Sequence, residues 1–259
     1  MKNYLTELFQ YRELLFNLTV NEMKLRYRNS VLGFLWTILN PLFYLLILSL
    51  VFSKIIRFQI ENYTIFLFAG LTSWMMIQQT VVIATGSIVN NQALIRKVYI
   101  PKMVFPLSNI LARFVDHVIM SLLLLGFMVF FHVPLTWNLL FIPVALCLHF
   151  FFSLGLSLIS ATAYIKIRDV QNIIAIVFQA LFFATPIIYS LNILPANYRP
   201  YFLWNPFYYF VQCFRYPVYY ASLPPRQDFM IALVLTVVIF IAGVVIFHRK
   251  EKLFVFHLS

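Results

Sequence analysis

LRYRNSVLGFLWTILNPLF, residues 25–43, is the stretch that decides how this chain folds. Three cations, Lys24, Arg26 and Arg28, directly precede a run that stays apolar nearly to Phe52. In a soluble domain nothing would cover the far side of such a helix, whereas lipid covers every side of a membrane helix. The stretch therefore predicts a membrane-spanning helix whose basic end lies at the membrane surface.

The composition of the whole chain agrees with this interpretation. Of its 259 residues, 63% are hydrophobic and 10% are charged, and the mean hydropathy is +0.88. These values lie outside the range of ordinary soluble domains and indicate an integral membrane protein. A net charge of +11 would suggest a nucleic-acid partner in a soluble protein. In a membrane protein it is typical of the cations that fix orientation at the cytoplasmic surface.

Six stretches are long and apolar enough to cross a bilayer, for which a helix needs about 20 residues. They are residues 31–53, 63–86, 114–135, 139–164, 171–191 and 228–247. The prediction is an all-α integral membrane protein with a single transmembrane domain, residues 1–259. If both termini are cytoplasmic, most of the 19 Lys and Arg residues lie inside, as the positive-inside rule requires. The cations left outside are Lys54, Arg57, Arg199, Arg215 and Arg226.

Two segments outside the spans carry patterns of their own. Residues 1–28 alternate apolar and charged side chains at roughly helical spacing, which predicts an amphipathic helix at the membrane interface. An amphipathic helix packed on the protein's own loops explains that pattern equally well. Residues 192–224 are predicted to form short re-entrant helices on the external side. Half of the positions in 198–220 are aromatic, and such rings favour the interface over a solvated loop.

Missing motifs exclude several kinds of chemistry. The six glycines form no GxxxxGK[ST] loop, so any ATP and its Mg²⁺ are expected to bind a separate ATPase chain. The five histidines and two cysteines show no close spacing of metal ligands, so neither a metal site nor any other cofactor is expected in this chain. No Ser or Cys constellation suggests catalysis. The chain is therefore predicted not to be an enzyme.

Arg113, Asp116 and His117 form a charged cluster near the start of the third span. Arg113 and Asp116 are three residues apart and can pair on one helix face at the cytoplasmic edge. A structural ion pair is favoured over a proton relay, because a relay needs further acidic groups at membrane depth in other spans.

Four stretches together resemble a known family. LRYRNSVLGFLWTILNPLF is similar to the first-helix signature of the membrane subunits of type-2 ABC exporters, in the branch that moves polysaccharides and teichoic acids. ALIRKVYIPK, residues 93–102, resembles the coupling segment of that branch. ATPIIYS and NPFYYFVQCFRYPV, residues 184–190 and 205–218, resemble its fifth-helix end and its external segment. The chain most resembles the O-antigen polysaccharide permeases of the Wzm type.

This resemblance implies a homodimer of the chain bound to two copies of an ABC ATPase subunit. The implied coupling helix, residues 91–102, is a short basic amphipathic run that could dock in a groove of a soluble partner. Its alternative is a solvated loop attracted to anionic lipids. The candidate coupling residues are Leu94, Ile95, Arg96, Lys97, Val98, Tyr99 and Lys102, with Arg168 and Asp169 as a second contact.

Candidate substrate contacts follow from the chemistry of a lipid-linked sugar polymer. Lys24, Arg26 and Arg28 are candidates to anchor the first span at the phosphate layer and to meet an anionic headgroup. Aromatic and amide groups suit sugar rings and hydroxyls, and the candidate pathway residues are Trp36, Asn40, Phe43, Tyr44, Phe178, Phe182 and Tyr189. These aromatics could instead pack helix against helix. Trp204, Tyr208 and Tyr209 are candidates for an external gate.

The predicted function is the export of a lipid-linked polysaccharide from the cytoplasmic to the outer face of a bacterial inner membrane, powered by the separate ATPase. Three alternatives remain open. An exporter of the same type could carry teichoic acid, capsule or a small amphiphile. A membrane-embedded enzyme acting on a lipid-linked glycan would need an acidic cluster or a metal site. A structural assembly protein would tolerate the loss of the pathway aromatics.

Overall fold

A computed structural model describes residues 9–26, 28–56, 59–98 and 100–254, and within these ranges the chain forms helices and no strand. The helices are α1 (Arg12–Arg26), α2 (Trp36–Leu50), α3 (Tyr63–Thr85), α4 (Ser87–Asn90), α5 (Gln92–Lys97), α6 (Val104–Phe130), α7 (Ile142–Lys166), α8 (Val170–Ala184), α9 (Arg199–Leu203), α10 (Pro206–Tyr219) and α11 (Arg226–Lys250). A 3₁₀ turn, Gly33–Leu35, leads into α2, and a π-helical turn, Val51–Ile55, continues it. Shorter 3₁₀ turns lie at Trp137–Phe141, Leu191–Ile193 and Glu251–Leu253.

The predicted all-α membrane fold is confirmed, with one difference in the number of full spans. Five helical segments of the described chain are long and apolar enough to cross a bilayer: Gly33–Ser53, Tyr63–Thr85, Val104–Phe130, Trp137–Lys166 and Arg226–Leu253. The fifth predicted span, 171–191, is the 15-residue helix α8. At 1.5 Å per residue α8 is about 22 Å long, against a hydrocarbon core of about 30 Å. It ends at Ala184 because Thr185, which precedes Pro186, takes an extended conformation.

Two other predicted boundaries differ for reasons of backbone chemistry. The third span begins at Val104 and not at residue 114, because Pro106 lies in the first turn of α6, where its missing N–H is not needed. The predicted coupling helix, 91–102, is shorter, since α5 covers only Gln92–Lys97 and Val98 is already extended.

Helix α3 lies at the centre of the molecule. In its most apolar window 78% of the residues are buried, compared with 11% for the span that contains α2 and 17% for the span that contains α11. Helices α6, α7, α8 and α10 pack around α3, and α2 contacts it along one side. The first and last spans therefore present most of their surface to lipid or to other subunits.

The predicted re-entrant segment includes a helix that enters the core. Phe210, Cys213, Phe214 and Arg215 of α10 are fully buried against α3, α7 and α11. Arg215 donates from Nη1 to the Pro186 carbonyl and from Nη2 to the Ile187 carbonyl, each at 2.8 Å. These contacts join α10 to the chain that follows α8.

Helix α1 packs on α6, a spanning helix, and not on the loops that the second interpretation of the N-terminal segment named. Tyr11, Leu14, Leu15 and Leu18 contact a buried cluster of α3 to α7 and α11, although no residue of α1 is itself fully buried. Residues 1–8 of the predicted interface helix lie outside the described residues.

Helices α7 and α11 cross closely at two glycines. A Cβ added to Gly155 would lie 2.6 Å from the carbonyl carbon of Ile239, and one added to Gly243 would meet the backbone of Gly155. Gly126 of α6 has nothing within 4 Å of the same position. Interfaces between helices in lipid are enriched in small residues, because these let the backbones approach and pack closely.

This contrast supplies a matched pair of variants. We expect Gly155→Ala to lower the free energy of unfolding by about 2–3 kcal/mol, because the two backbones must separate to admit the methyl group. Gly126→Ala should change it by less than about 1 kcal/mol and in the stabilising direction. Denaturation of the purified chain in mixed micelles measures both. Equal stability of the two variants would contradict the close crossing.

Candidate functional site

A cleft of about 300 Å³ lies between α2, α3 and α6. Trp36, Thr37 and Asn40 line its α2 side. The residues that α1, α3 and α6 contribute are Arg26, Phe68, Leu71, Thr72, Met75, Gln79, Arg113, Asp116, His117 and Met120. Charged, amide and aromatic side chains thus meet in one depression, and we take it as the candidate functional site.

Helix α2 packs against the rest of the molecule through only a narrow face, which leaves this cleft unfilled. Its buried stripe runs through Thr37 and Leu45, and Pro41 between them lines the cleft. Residues four apart stack on one helix face, so Trp36, Asn40 and Tyr44 lie along one edge of that stripe. Phe43 is two positions from both Pro41 and Leu45 and points away from the cleft, with 54% of its surface exposed. Only one narrow face of α2 is therefore packed.

The ion pairing at the cleft differs from the sequence prediction. Asp116 pairs most closely with Arg26 of α1, and Arg113 of the same helix is 3.5 Å away from the same carboxylate oxygen. Arg113 also donates to Oε1 of Gln79 at 3.4 Å. The predicted Arg113–Asp116 pair exists, but Asp116 mainly fixes the end of α1 against α6.

His117 adds unused hydrogen-bonding capacity beside these charges. It is buried, and neither ring nitrogen has a hydrogen-bond partner among the described residues. The Oδ1 atom of Asp116 is likewise unpartnered within that part of the chain. Because buried polar groups are normally satisfied, these atoms could accept and donate bonds to a polar ligand in the cleft.

A second cavity of about 320 Å³ continues the site along α2. Asn40, Leu71 and Met75 line both cavities, so the two share a wall. The further lining of the second cavity is Tyr44, Trp74, Gln78, Gln179, Phe182 and Phe183. The charged cluster therefore lies next to a cavity that is lined by aromatic rings and amides.

The predicted pathway residues divide into two groups. Trp36, Asn40, Tyr44 and Phe182 line these cavities. Phe178 packs 5.7 Å from Trp74 and 5.5 Å from Phe207, ring centre to ring centre, and lines neither cavity. Tyr189 also lines neither cavity. Its hydroxyl donates a hydrogen bond to the Phe183 carbonyl. For Phe178 and Tyr189, packing between helices is the role that the structure displays.

The three predicted headgroup anchors also separate. Arg26 turns inward to Asp116, whereas Lys24 and Arg28 are exposed. Lys24 borders a shallow surface groove with Val20, Met23 and Phe34. Two of the three cations can thus meet phosphates at the surface, and the third belongs to the cleft.

The candidate coupling residues differ in exposure, and Ile95 is the buried member. Ile95 packs in the core, while Arg96, Lys97 and Val98 are exposed and Leu94 is half-buried. Arg168 and Asp169 are exposed, and Gln171, two residues later, lies next to Gly86 at the end of α3. Tyr99 lies outside the described residues.

Lys102, another candidate coupling residue, forms a hydrogen bond with a residue near the other end of the chain. Its backbone N–H donates to Oε1 of Glu251 at 2.9 Å, and Phe254 packs in the cluster that contains Ile95. Residues 251–254, which we call the C-terminal turn, therefore fix the segment between α5 and α6. Sequence analysis missed Glu251.

The three candidate gate residues differ in exposure. Trp204 is 88% exposed and Tyr208 only 8%, while the Tyr209 hydroxyl donates to the Leu203 carbonyl. The rings of Tyr208 and Tyr209 are 5.2 Å apart. The gate stays a prediction, with Trp204 as its exposed member.

Gln78, Gln79 and Gln179 are further cleft residues that sequence analysis missed. Their signal was present, because amides within apolar spans are uncommon and mark functional positions by default. Groups of His, Cys, Asp and Glu able to hold a metal ion are absent from the described residues. The arrangement is suited to binding an anionic and hydroxyl-rich ligand.

Comparisons with known proteins give the family context. Residues 13–219 match the model of the ABC-2 type transporter family. The chain is 33% identical to the O-antigen export system permease protein RfbA of Myxococcus xanthus over 251 residues, which is 96% of each chain. It is 30% identical to the RfbA protein of Klebsiella pneumoniae over 75% of each chain. It is 27% identical to the polysialic acid transport protein KpsM of Escherichia coli over 91% of this chain and 92% of that protein.

The charge cluster makes a testable prediction about stability. Asp116→Leu should lower the free energy of unfolding by about 3 kcal/mol, because Arg26 and Arg113 would then face each other in a partly buried site. Adding Arg26→Met should recover most of that loss, as expected for interacting neighbours. Arg28→Met, an exposed cation nearby, is the control and should have little effect. Unfolding of the purified variants in detergent measures all four proteins, and equal losses in the single and double variants would contradict the pairing.

Proposed function

We propose, since the chain belongs to the ABC-2 type transporter family, that it is the membrane subunit of an exporter for a lipid-linked polysaccharide. The proposed transport runs from the cytoplasmic to the outer face of the bacterial inner membrane. Membership makes the chain a multi-pass transporter permease that associates with an ABC ATPase. ATP and Mg²⁺ would bind that partner, and this chain would supply the path.

One observation carries the proposal: a cluster of cations joined to a wall of amides and aromatics in the cleft between α2, α3 and α6. Arg26 and Arg113 lie at one end around Asp116, with the imidazole of His117 beside them, and Asn40 leads to Tyr44. A pyrophosphate-linked lipid headgroup offers the negative charge that the first end recognises. Sugar rings stack on aromatic faces and exchange hydrogen bonds with amides, which suits the second. Relatives named for O-antigen and polysialic acid support the same substrate class.

The size of the cleft argues for a dimer. Each cavity in one copy, about 300–320 Å³, is at the lower limit for a small-molecule site and too small for a polymer. The unpacked face of α2, with Phe43 and Ile47 exposed, could close a wider conduit against a second copy. A homodimer with two ATPase subunits is therefore part of the proposal.

The small cavity also favours a second candidate, an exporter of a small amphiphile. Such a substrate would fit one copy without a shared conduit. The charged and amide lining distinguishes the two, because a hydrophobic drug would leave Asp116 and His117 desolvated without partners.

We place both termini and α5 in the cytoplasm. Arg96, Lys97, Lys166 and Lys250 lie at the helix ends that meet the C-terminal turn, and basic residues accumulate on the cytoplasmic side. With this orientation the exposed patch of α5 faces the ATPase. Ile95, buried in the core, would transmit movement of α5 to the spans.

Deletion of this subunit in its native bacterium tests the function directly. Finished carrier-linked glycan should accumulate on the cytoplasmic face while surface glycan is lost, because export is the missing step. Complementation with the wild-type chain is the control. Glycan that is never polymerised would instead indicate an enzyme, and normal surface glycan would favour the small-amphiphile exporter.

Charge reversal on α5 tests the coupling surface. Arg96→Glu together with Lys97→Glu should abolish most co-purification of the ATPase with a tagged permease, because both side chains are exposed on the proposed docking face. Lys252→Glu, an exposed cation on the C-terminal turn, should leave co-purification unchanged. ATPase capture that survives the α5 changes would place the docking surface elsewhere.

A further inference from the structure

A groove with an apolar floor and a basic rim lies between the ends of α7 and α11. It encloses about 230 Å³, and Ile159, Ile246, Leu253 and Phe254 contribute to its floor. Lys166 and Lys250, the last residues of the two helices, also line it and are exposed. The groove shares no residue with the cleft between α2, α3 and α6.

We propose that this groove binds an anionic phospholipid, with an acyl chain against the floor and the phosphate between Lys166 and Lys250. The proposal does not depend on the transported substrate, because α7 and α11 form the groove without the cleft helices. It assigns the chain a structural or regulatory lipid.

The charges at the rim complement a phosphate. In the described part of the chain, no carboxylate lies within 4.0 Å of either lysine. Each helix carries roughly half a negative charge at its C-terminus, and the two lysine charges more than offset these. A net positive rim therefore remains to attract an anion.

The depth of the groove fits a lipid better than a soluble ligand. Helices α7 and α11 have 25 residues each, about 37 Å at 1.5 Å per residue, so their ends reach the headgroup region of a hydrocarbon core about 30 Å thick. Ile159 and Ile246, one to two turns before the ends of these helices, then lie at the depth of the acyl chains. Lysine ammonium groups reach the phosphate layer from such positions.

A lipid in this position would contact the C-terminal turn. Leu253 and Phe254 belong to the groove, and Glu251 of the same turn accepts the hydrogen bond from Lys102. An acyl chain packed on Leu253 and Phe254 would stabilise the turn that fixes the segment between α5 and α6. Occupancy of the groove would thus reinforce that segment from the lipid side.

Native mass spectrometry of the full-length chain, purified in detergent, tests the proposal with added phosphatidylglycerol or with phosphatidylcholine of the same acyl chains. The wild type should retain phosphatidylglycerol in preference. Lys166→Gln with Lys250→Gln should weaken that retention about tenfold, because both rim charges are lost. Arg249→Gln with Lys252→Gln removes two exposed cations from the same end, outside the groove lining, and should change it less than about twofold.

A third variant tests insertion into the groove. Ile246→Trp keeps both lysines but fills the floor, so it should also lose selective retention while eluting as the wild type does in size-exclusion chromatography. Equal losses in the Lys166/Lys250 and Arg249/Lys252 double variants would indicate diffuse attraction and overturn the proposal. Retention unchanged by Ile246→Trp, or equal retention of the two lipids, would overturn it as well. So would a full-length chain that binds neither lipid while a chain ending at Phe254 binds phosphatidylglycerol, because residues 255–259 would then be the occupant.

Discussion

The interaction on which most of the architecture depends is the pair of hydrogen bonds from the Arg215 guanidinium to the carbonyls of Pro186 and Ile187. Proline ends α8 inside the membrane protein and leaves carbonyls that water cannot reach. Arg215 satisfies them at 2.8 Å and lies 3.9 Å above the ring of Phe66. Position 70 requires glycine, because a Cβ on this residue would overlap the Arg215 guanidinium. A fully buried arginine is thus held by carbonyl dipoles and a ring.

This contact joins α10 to the chain that follows α8, and so it determines which helices pack together around Arg215. Asn205 begins α10 by accepting from the Phe207 N–H, and its amide donates to the Ala184 carbonyl and the Thr185 hydroxyl. Helix α10 is therefore tied at both ends of its buried face to the chain that follows α8. Since α10 occupies one side of α3, the remaining sides take α6, α7 and α8. Helix α2 is left with one narrow contact, and the cleft follows from that limited packing.

The proposed function requires a substrate path and a surface that docks the ATPase. The cleft is the proposed path, and the C-terminal turn supports the segment next to the proposed docking surface. Arg26 brings α1 to the charged end of the cleft, and Glu251 brings the end of α11 to the segment after α5. Both contacts use a carboxylate to fix a peripheral segment on the long helix α6 or just before it. The cleft and the segment between α5 and α6 therefore both adjoin the same helix, α6. Ile95 of α5 packs in the same buried cluster as Val104 and Phe105 of α6.

The sequence by itself determined the membrane environment, five of the six predicted spans and the family resemblance, whereas the predicted span 171–191 ran through the break before Pro186. A helix in lipid must satisfy its backbone hydrogen bonds within its own residues. Local hydropathy is therefore sufficient to locate most of the spanning helices. Only the tertiary structure decided which faces pack, because lipid is as apolar as Leu and leaves little hydrophobic pattern to mark the inward side. It joined Arg26 to Asp116 across 90 residues and Lys102 to Glu251 across 149. It also separated Phe43 and Phe178 from the cleft, because shape complementarity between helices, and not residue type, selects the lining of a cavity.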